Sequence, residues 1–350
     1  MMPTVSVIMP LYNSAKHLRE AVDSMIAQTL VDWELIAICE PDSHDTTNSI
    51  MEKYAVTDNR IRVIYNTTRL GISASLNRAI RESHGMYIAR MDGDDVSLPT
   101  RLESQVRFMN EHPDVAICAS HVRYIDVKGK TLFYKDNLSD DSQQLHSDLL
   151  FFCFIHHPSV AFRKSSILEY NLYYDETYTE AEDYELWCRA SRIVQIAATP
   201  DVLFHYRWRN DNSYHTGMEE LKRANIEILR SNLKALDVNV PDEVLHHLCR
   251  VTCHETIRDF RNIEKRLNMV YNRIVEKNRE LNVYKEDCLI MTLDKRMYWR
   301  RHKIRRIVAV LLKSFAKTMS EESFFYATLY LELNGFYPVF RRVLHHLHIL

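Results

Sequence analysis

Two acidic stretches hold the residue types best suited to chemistry. Asp92-Gly93-Asp94-Asp95 closes a short apolar run, and Glu182-Asp183 opens a stretch with helical spacing. Carboxylates at Asp-x-Asp spacing in a loop are hard oxygen ligands. They suit Mg²⁺ or Mn²⁺, which complete their shells with water and substrate phosphate. The same pattern also describes an acidic surface turn ahead of a helix, here with Pro99 near its first turn. Glu40, Asp42 and Asp45 form a further acidic set. His156-His157-Pro158-Ser159 and His205-Tyr206-Arg207-Trp208-Arg209 add polar groups downstream. Arginine cannot ligate a metal but can clamp phosphate.

The elements that must position these groups alternate. Val5–Met9, Leu35–Cys39, Ile61–Tyr65 and Tyr87–Met91 read as strands, separated by helical patterns over Ser14–Gln28, Thr46–Tyr54 and Ser73–Ser83. Gly85 is placed to close the third helix in the left-handed conformation. Nearly continuous apolar strands alternating with helices predict a mostly parallel sheet covered on both faces. Ligands of such sheets bind outside the carboxyl ends of the strands, where Glu40 and Asp92–Asp95 fall. Val115–Ser120, Ser159–Phe162, Ile193–Ala197 and Val202–Tyr206 are further strand candidates, with a helix over Ala181–Ser191. Met218–Leu236, Glu243–Glu280 and Lys295–Thr318 read as helices.

Composition narrows the chemistry. The 350 residues carry 45 basic and 47 acidic side chains, a net charge of −2, which gives no global attraction to nucleic acid. The six glycines are scattered, so neither a GxGxxG fingerprint nor a GxxxxGK[ST] phosphate loop can form. A bound diphosphate must then be held by other means, such as a cation on the Asp-x-Asp loop. Seven dispersed cysteines without a CxxC fit reduced thiols, and the N-terminus lacks a signal-peptide pattern, so a cytoplasmic location is expected.

VSVIMPLYN, ELIAICEPDSHDTT, LGISASLNRAI, HGMYIARMDGDD, SLPTRLESQ and AEDYELWCR, in that order, resemble the family 2 inverting glycosyltransferases of GT-A fold over roughly residues 4–210. The resemblance implies a Rossmann-like α/β catalytic domain over 1–215 and a helical C-terminal region over 216–350. It places Pro10 and Tyr12 along a UDP-sugar donor, with Glu40 accepting from the uracil N–H and Asp42 and Arg69 nearby. Cys39-Glu40-Pro41-Asp42 departs from the two adjacent aspartates common in the family. Asp92 would hold the ribose or a metal water, and Asp94 would ligate Mn²⁺ or Mg²⁺. Arg69, Asn77 and Arg90 have polar reach toward the same crevice. Asp183 would be the general base, kept ionised at a helix N-terminus, with Glu182 its neighbour. His157 would lie near the acceptor or diphosphate, and Arg207 and Arg209 near the leaving group. The Gln-x-x-Arg-Trp signature of processive members is absent, so a single transfer per encounter is expected.

The implied acceptor is a glycan or lipid-linked precursor of cell-surface polysaccharide. Residues 295–317 hold nine Lys or Arg and no acid, with aromatic residues near one end. Such a stretch suits either an anionic membrane surface, making the protein peripheral on the inner face, or a helix packed on the catalytic domain with a solvated basic face. His246, His247, Cys249, Cys253 and His254 lack finger spacing and read as helix residues, as do His345, His346 and His348. A metal-dependent nucleotidyltransferase and a non-catalytic sugar-nucleotide-binding or scaffold protein are the alternatives. The first usually carries a glycine-rich basic signature where this chain has Pro10-Leu11-Tyr12-Asn13.

Overall fold

Val5–Leu11 (β1) and Trp33–Cys39 (β2) are buried along nearly their whole length, the condition of inner strands with both faces covered. Their side chains alternate between two cores. Ile8, Ile36 and Ile38 point to one, where Leu76, Ala79 and Ile80 of helix α3 (Ile72–Glu82) also pack. Val5, Val7, Met9, Leu35 and Ala37 point to the other, against Leu18, Val22 and Met25 of α1 (Ala15–Ile26) and Ile50 and Met51 of α2 (Thr47–Thr57). The computed structural model describes residues 2–133, 137–208, 218–249 and 257–297. Arg209, Cys253, His254, His345, His346, His348 and most of the basic stretch 295–317 therefore lie outside the described residues.

The remaining strands are β3 (Ile61–Tyr65), β4 (Tyr87–Arg90), β5 (Val96–Ser97), β6 (Val115–Ile125), β7 (Thr131–Phe133), β8 (Ala161–Arg163) and β9 (Gln195–Arg207). Among the described residues they form one nine-stranded sheet, β3-β2-β1-β4-β8-β6-β9-β5, with β7 beside β6. The expected parallel arrangement holds across β3-β2-β1-β4. Beyond β4 the sheet becomes mixed: β8 is antiparallel to both β4 and β6, while β6 and β9 are parallel. Apolar runs buried on both faces carry no signal of direction, and a three-residue strand is too short to show a period. The two strand candidates after residue 192 are one strand, β9, and Ser159 belongs to a 3-10 turn over His157–Ser159.

The chain runs outward from β1 to β3 and then returns to place β4 on the other side of β1. The carboxyl ends of β1 and β4 thus flank a topological switch point, where open α/β sheets bind ligands. Pro10 is tolerated at this edge. Leu11 O accepts from Glu40 on the β2 side and Ile8 O from Met91 on the β4 side. Alternation then puts the missing Pro10 donor on the β4 side, beyond the last pair of that ladder.

Gly85 has a different role from the expected helix closure. Helix α3 ends at Ser83 in an extended conformation (φ −73°, ψ 145°). A Cβ on Gly85 would stand 2.5 Å from the Ser6 nitrogen and 2.8 Å from the Val5 carbonyl carbon. Close packing of two backbones, not a positive φ, requires glycine there.

Helices α4 (Arg101–Glu111), α5 (Ser142–Asp148), α6 (Lys164–Glu169) and α7 (Glu182–Ala190) complete the sheet region. After it come α8 (Met218–Ala235), α9 (Asp242–Cys249) and α10 (Ile257–Leu281), then a helical run over 286–297. Of the single helix expected over 243–280, the described residues are helical over Asp242–Cys249 and from Ile257 onward. Leu229, Leu233, Leu245, Leu267 and Ile274 build a third core that reaches the sheet region through Leu150. No helix among the described residues is long and apolar enough to cross a membrane.

Candidate active site

A cleft of about 850 Å³ opens over the switch point, lined by residues from the loops after β1, β4 and β9, the 153–158 segment and the start of α7. Three groups of side chains face it.

The first group ties the loops after β1 and β2 together. Asn13 sits in the left-handed region (φ 48°), which Asn tolerates, and its Oδ1 accepts from His44 N–H at 2.8 Å. Asp45 accepts from Ala15 and Thr47 N–H, each at 2.9 Å, so it anchors α1 and α2. Tyr12 is about one-third exposed on the cleft wall, with the Arg69 guanidinium 4.3 Å from its ring centre. Arg69 also reaches Asp42 at 3.5 Å. Glu40 lines the cleft, but its carboxylate already accepts from Leu70 N–H (3.1 Å), Gly71 N–H (2.9 Å) and Ser75 Oγ (3.0 Å). It satisfies the free donors at the start of α3. Asn77 holds Tyr174 through both its amide nitrogen and oxygen, which makes it a structural tie and not a cleft group.

The second group is the acidic loop. Ligand atoms of Asp92, Asp94 and Asp95 all lie within 4.8 Å of one another. Asp95, part of the acidic stretch but given no role from the sequence, is buried. Its Oδ1 accepts from Arg207 N–H at 2.7 Å, and its Oδ2 is buried without a hydrogen-bond partner. Burial, with Asp94 and Asp92 beside it, pushes this carboxyl well above the ordinary carboxylate range. An orphaned buried oxygen inside a carboxylate trio is what a hard divalent cation would satisfy, so the donor set fits Mg²⁺ or Mn²⁺. Arg90 pairs with Asp92 from below. Gly93 gives the loop room, since a Cβ there would meet Leu11 Cδ2 at 2.6 Å.

The third group lies across the cleft at the start of α7. Ala181 adopts the left-handed conformation (φ 59°, ψ 27°) and turns the chain so that Glu182 and Asp183 both line the cavity. Asp183 Oδ1 accepts from Tyr184 N–H at 2.7 Å. The helix terminus does not keep this acid in the low range. Burial raises its pKa and the Glu182 charge adds to the rise; a charged His157 would oppose it, but His157 is neutral at pH 7. Burial also raises Glu182, and it raises Glu180 to about 7, with Glu182, Glu220 and Asp183 adding to the latter. His157 is buried, held down to about 3 by desolvation and then by Arg90, and so is neutral at pH 7. Its Nδ1 is 3.5 Å from Glu182 Oε1 and its Nε2 is 2.8 Å from Tyr174 OH.

The comparisons with known proteins bear on the family and the fold. The family model described as glycosyl transferase family 2 matches residues 6–170. An uncharacterized glycosyltransferase of Methanocaldococcus jannaschii is 31% identical over 66% of this chain and 80% of its own. The chain belongs to glycosyltransferase family 2. The O-antigen biosynthesis glycosyltransferase WbnJ of Escherichia coli is 29% identical over 70% of this chain and 95% of its own. Among solved structures, S. aureus TarS 1–349 in complex with UDP-GlcNAc has a TM-score of 0.57 at 16% identity, covering 85% of this chain and 92% of that one. The mannosyltransferase PcManGT from Pyrobaculum calidifontis, in complex with GDP-Man and Mn²⁺, gives 0.54 at 18% identity, with 85% and 88% covered. The fold is that of GT-A glycosyltransferases.

In this family 2 enzyme several side chains that shape the cleft had no role assigned from the sequence. Arg101 and Gln105, within the SLPTRLESQ run, are buried struts below it. Arg101 donates to Arg90 O (2.8 Å) and Val160 O (3.2 Å), and Gln105 to Ser159 O (2.9 Å) and Cys118 O (3.2 Å). They bind the end of β4 to β6 and to the segment entering β8. His156, Tyr206 and Trp208 line the cavity, and Tyr124 packs edge-on against all three. Arg207 touches the cleft, but its guanidinium turns inward to Asp94 O, Asp126 O and Glu20, and does not present a free fork for phosphate. Adjacency to Asp94 was the available signal for Asp95, and membership of the quoted motifs and polar segments was the signal for Arg101, Gln105, His156, Tyr206 and Trp208.

Proposed function

We propose that this glycosyltransferase moves a sugar from a UDP-sugar to an acceptor hydroxyl with inversion, using a divalent cation, in the synthesis of a cell-surface polysaccharide. One observation carries the reading: the carboxylate trio and Asp183, which has a raised proton affinity, face each other across one cleft. Asp92, Asp94 and Asp95 would hold the cation, which when bound neutralises charge gathering on the departing diphosphate. Asp183 takes the acceptor hydroxyl proton as the new bond to the anomeric carbon forms and the bond to the UDP oxygen breaks. A single displacement from the face opposite UDP inverts the anomeric centre. Tyr12 offers a ring for the base, with Arg69 and Asp42 beside it. Glu40 acts mainly through the backbone it holds. His157 braces Glu182 next to the base.

The polysaccharide setting is supported by relatives named for O-antigen and amylovoran biosynthesis. A uridine donor is supported by the structural likeness to TarS bound to UDP-GlcNAc, and a metal by the Mn²⁺ in the mannosyltransferase complex. Residues 1–215 would form the catalytic domain and 216–350 a helical region whose basic stretch at 295–317 meets an anionic membrane carrying a lipid-linked acceptor. Lys295 itself is committed elsewhere, to Asp148 at 2.8 Å. As a glycosyltransferase, the chain is neither a nucleotidyltransferase nor a non-catalytic scaffold.

The test is UDP release from a panel of UDP-sugars with Mn²⁺, for wild type and Asp183→Asn, alongside calorimetric UDP binding. Loss of the base should slow release by roughly 10²–10⁴ and leave UDP binding intact. A variant as fast as wild type would remove Asp183 from the role.

A further inference from the structure

Arg207 is the last residue of β9, more than a hundred positions from the acidic loop, yet it touches that loop twice. Its backbone N–H donates to Asp95 Oδ1 at 2.7 Å and its Nε to Asp94 O at 2.6 Å. The rest of the guanidinium is anchored on other segments: one Nη donates to Asp126 O at 3.0 Å, the other to Glu20 Oε2 at 2.6 Å. The Arg207 side chain is 1% exposed, whereas that of Glu20 is 51% exposed on α1. Only a planar fork of several donors can make these contacts at once; an ammonium on a flexible stem cannot. Three carboxylates within 4.8 Å repel one another when no cation is bound. Something must hold them in place, and Arg207 does so through one carbonyl and one carboxylate.

We propose that Arg207, seated by Glu20, is a positioning residue that sets the Asp92–Asp95 loop in its cation-binding arrangement, so that divalent-cation affinity depends on a contact made on helix α1. This rests on the reading of the trio as a cation site. It also replaces the expectation that Arg207 clamps the leaving group. The Glu20 amide analogue would keep the accepting oxygen and lose only the charge.

The experiment is Mn²⁺ titration of the full chain, with UDP present, followed by the electron paramagnetic resonance of free Mn²⁺. Glu20→Ala should weaken Mn²⁺ binding by about tenfold, the scale of lost second-sphere support, and Arg207→Lys by at least as much. Glu20→Gln should stay within about twofold of wild type. Asp148→Ala, a destabilising change remote from the loop, should leave Mn²⁺ affinity unchanged. Because Glu20 is half exposed, its variants test the idea even if Arg207→Lys fails to fold. Glu20→Ala binding as tightly as wild type would overturn the proposal. So would Glu20→Gln losing as much as Glu20→Ala, or Asp148→Ala weakening the ion equally. Wild type binding no Mn²⁺ would instead overturn the cation reading on which this one stands.

Discussion

Around Asp183, burial and the Glu182 charge act in the same direction. Desolvation and the Glu182 carboxylate both favour its protonated form, while the Arg90 guanidinium counters them. A general base works best with a pKa near the operating pH, so this environment improves the group for proton abstraction. The activity of such a base appears only as it ionises. The acid limb of kcat should therefore lie above the ordinary carboxylate value of about 4. Glu182→Gln removes a charge that raises the Asp183 pKa, so the limb should move to lower pH. A pH–rate profile of UDP release checks this, and an unmoved limb would separate Glu182 from the base. His157, neutral, with Nε2 hydrogen-bonded to Tyr174 OH and Nδ1 3.5 Å from Glu182, is better read as a brace than as an acid or base.

At the scale of elements, the site depends on backbone placement as much as on side chains. Helix α3 can cover the sheet only because Gly85 lets the next chain segment lie against Val5 and Ser6. Gly85→Ala should destabilise the fold by about 1–3 kcal/mol through overpacking, read as a lowered midpoint in urea. Ala181 is the opposite case, a non-glycine residue held at φ 59° at the mouth of the cleft. Strain of this kind persists where surrounding structure over-determines it, and it gathers at functional sites. Ala181→Gly should raise stability by about 0.5–1 kcal/mol, since glycine occupies this region without the Cβ penalty. Slower UDP release from the more stable variant would show that the strain orients Glu182 and Asp183.

Across the whole molecule, the helical region is attached to the sheet region by a polar knot as well as an apolar core. Asp148, at the end of α5, is 3% exposed and accepts from Gln144, Thr292 and Lys295 at 2.7–2.8 Å. Removing Asp148 takes an acceptor from all three, leaving Gln144 and Thr292 bonded to each other at 2.9 Å and Lys295 partly solvated, which costs about 1–3 kcal/mol. Asp148→Ala should lower the unfolding free energy by that order, measured by denaturant titration. If the two regions unfold together in wild type, the variant should separate them into two transitions.

The order of elements, the strands whose carboxyl ends hold Tyr12 and Asp92–Asp95, and the family itself were legible in the sequence. Apolar period and turn residues are local properties, and six motifs in a fixed order are rarely met by accident. Strand direction beyond β4 was not legible, because a run buried on both faces looks the same either way. Nor was the division of labour among the acids and arginines. Glu40 turned to the backbone of α3, Asp95 was left with a bare buried oxygen, and Arg207 was drawn inward to the acidic loop. Each of those outcomes depends on burial and on partners tens to hundreds of residues away, and only the folded chain brings them within hydrogen-bond distance.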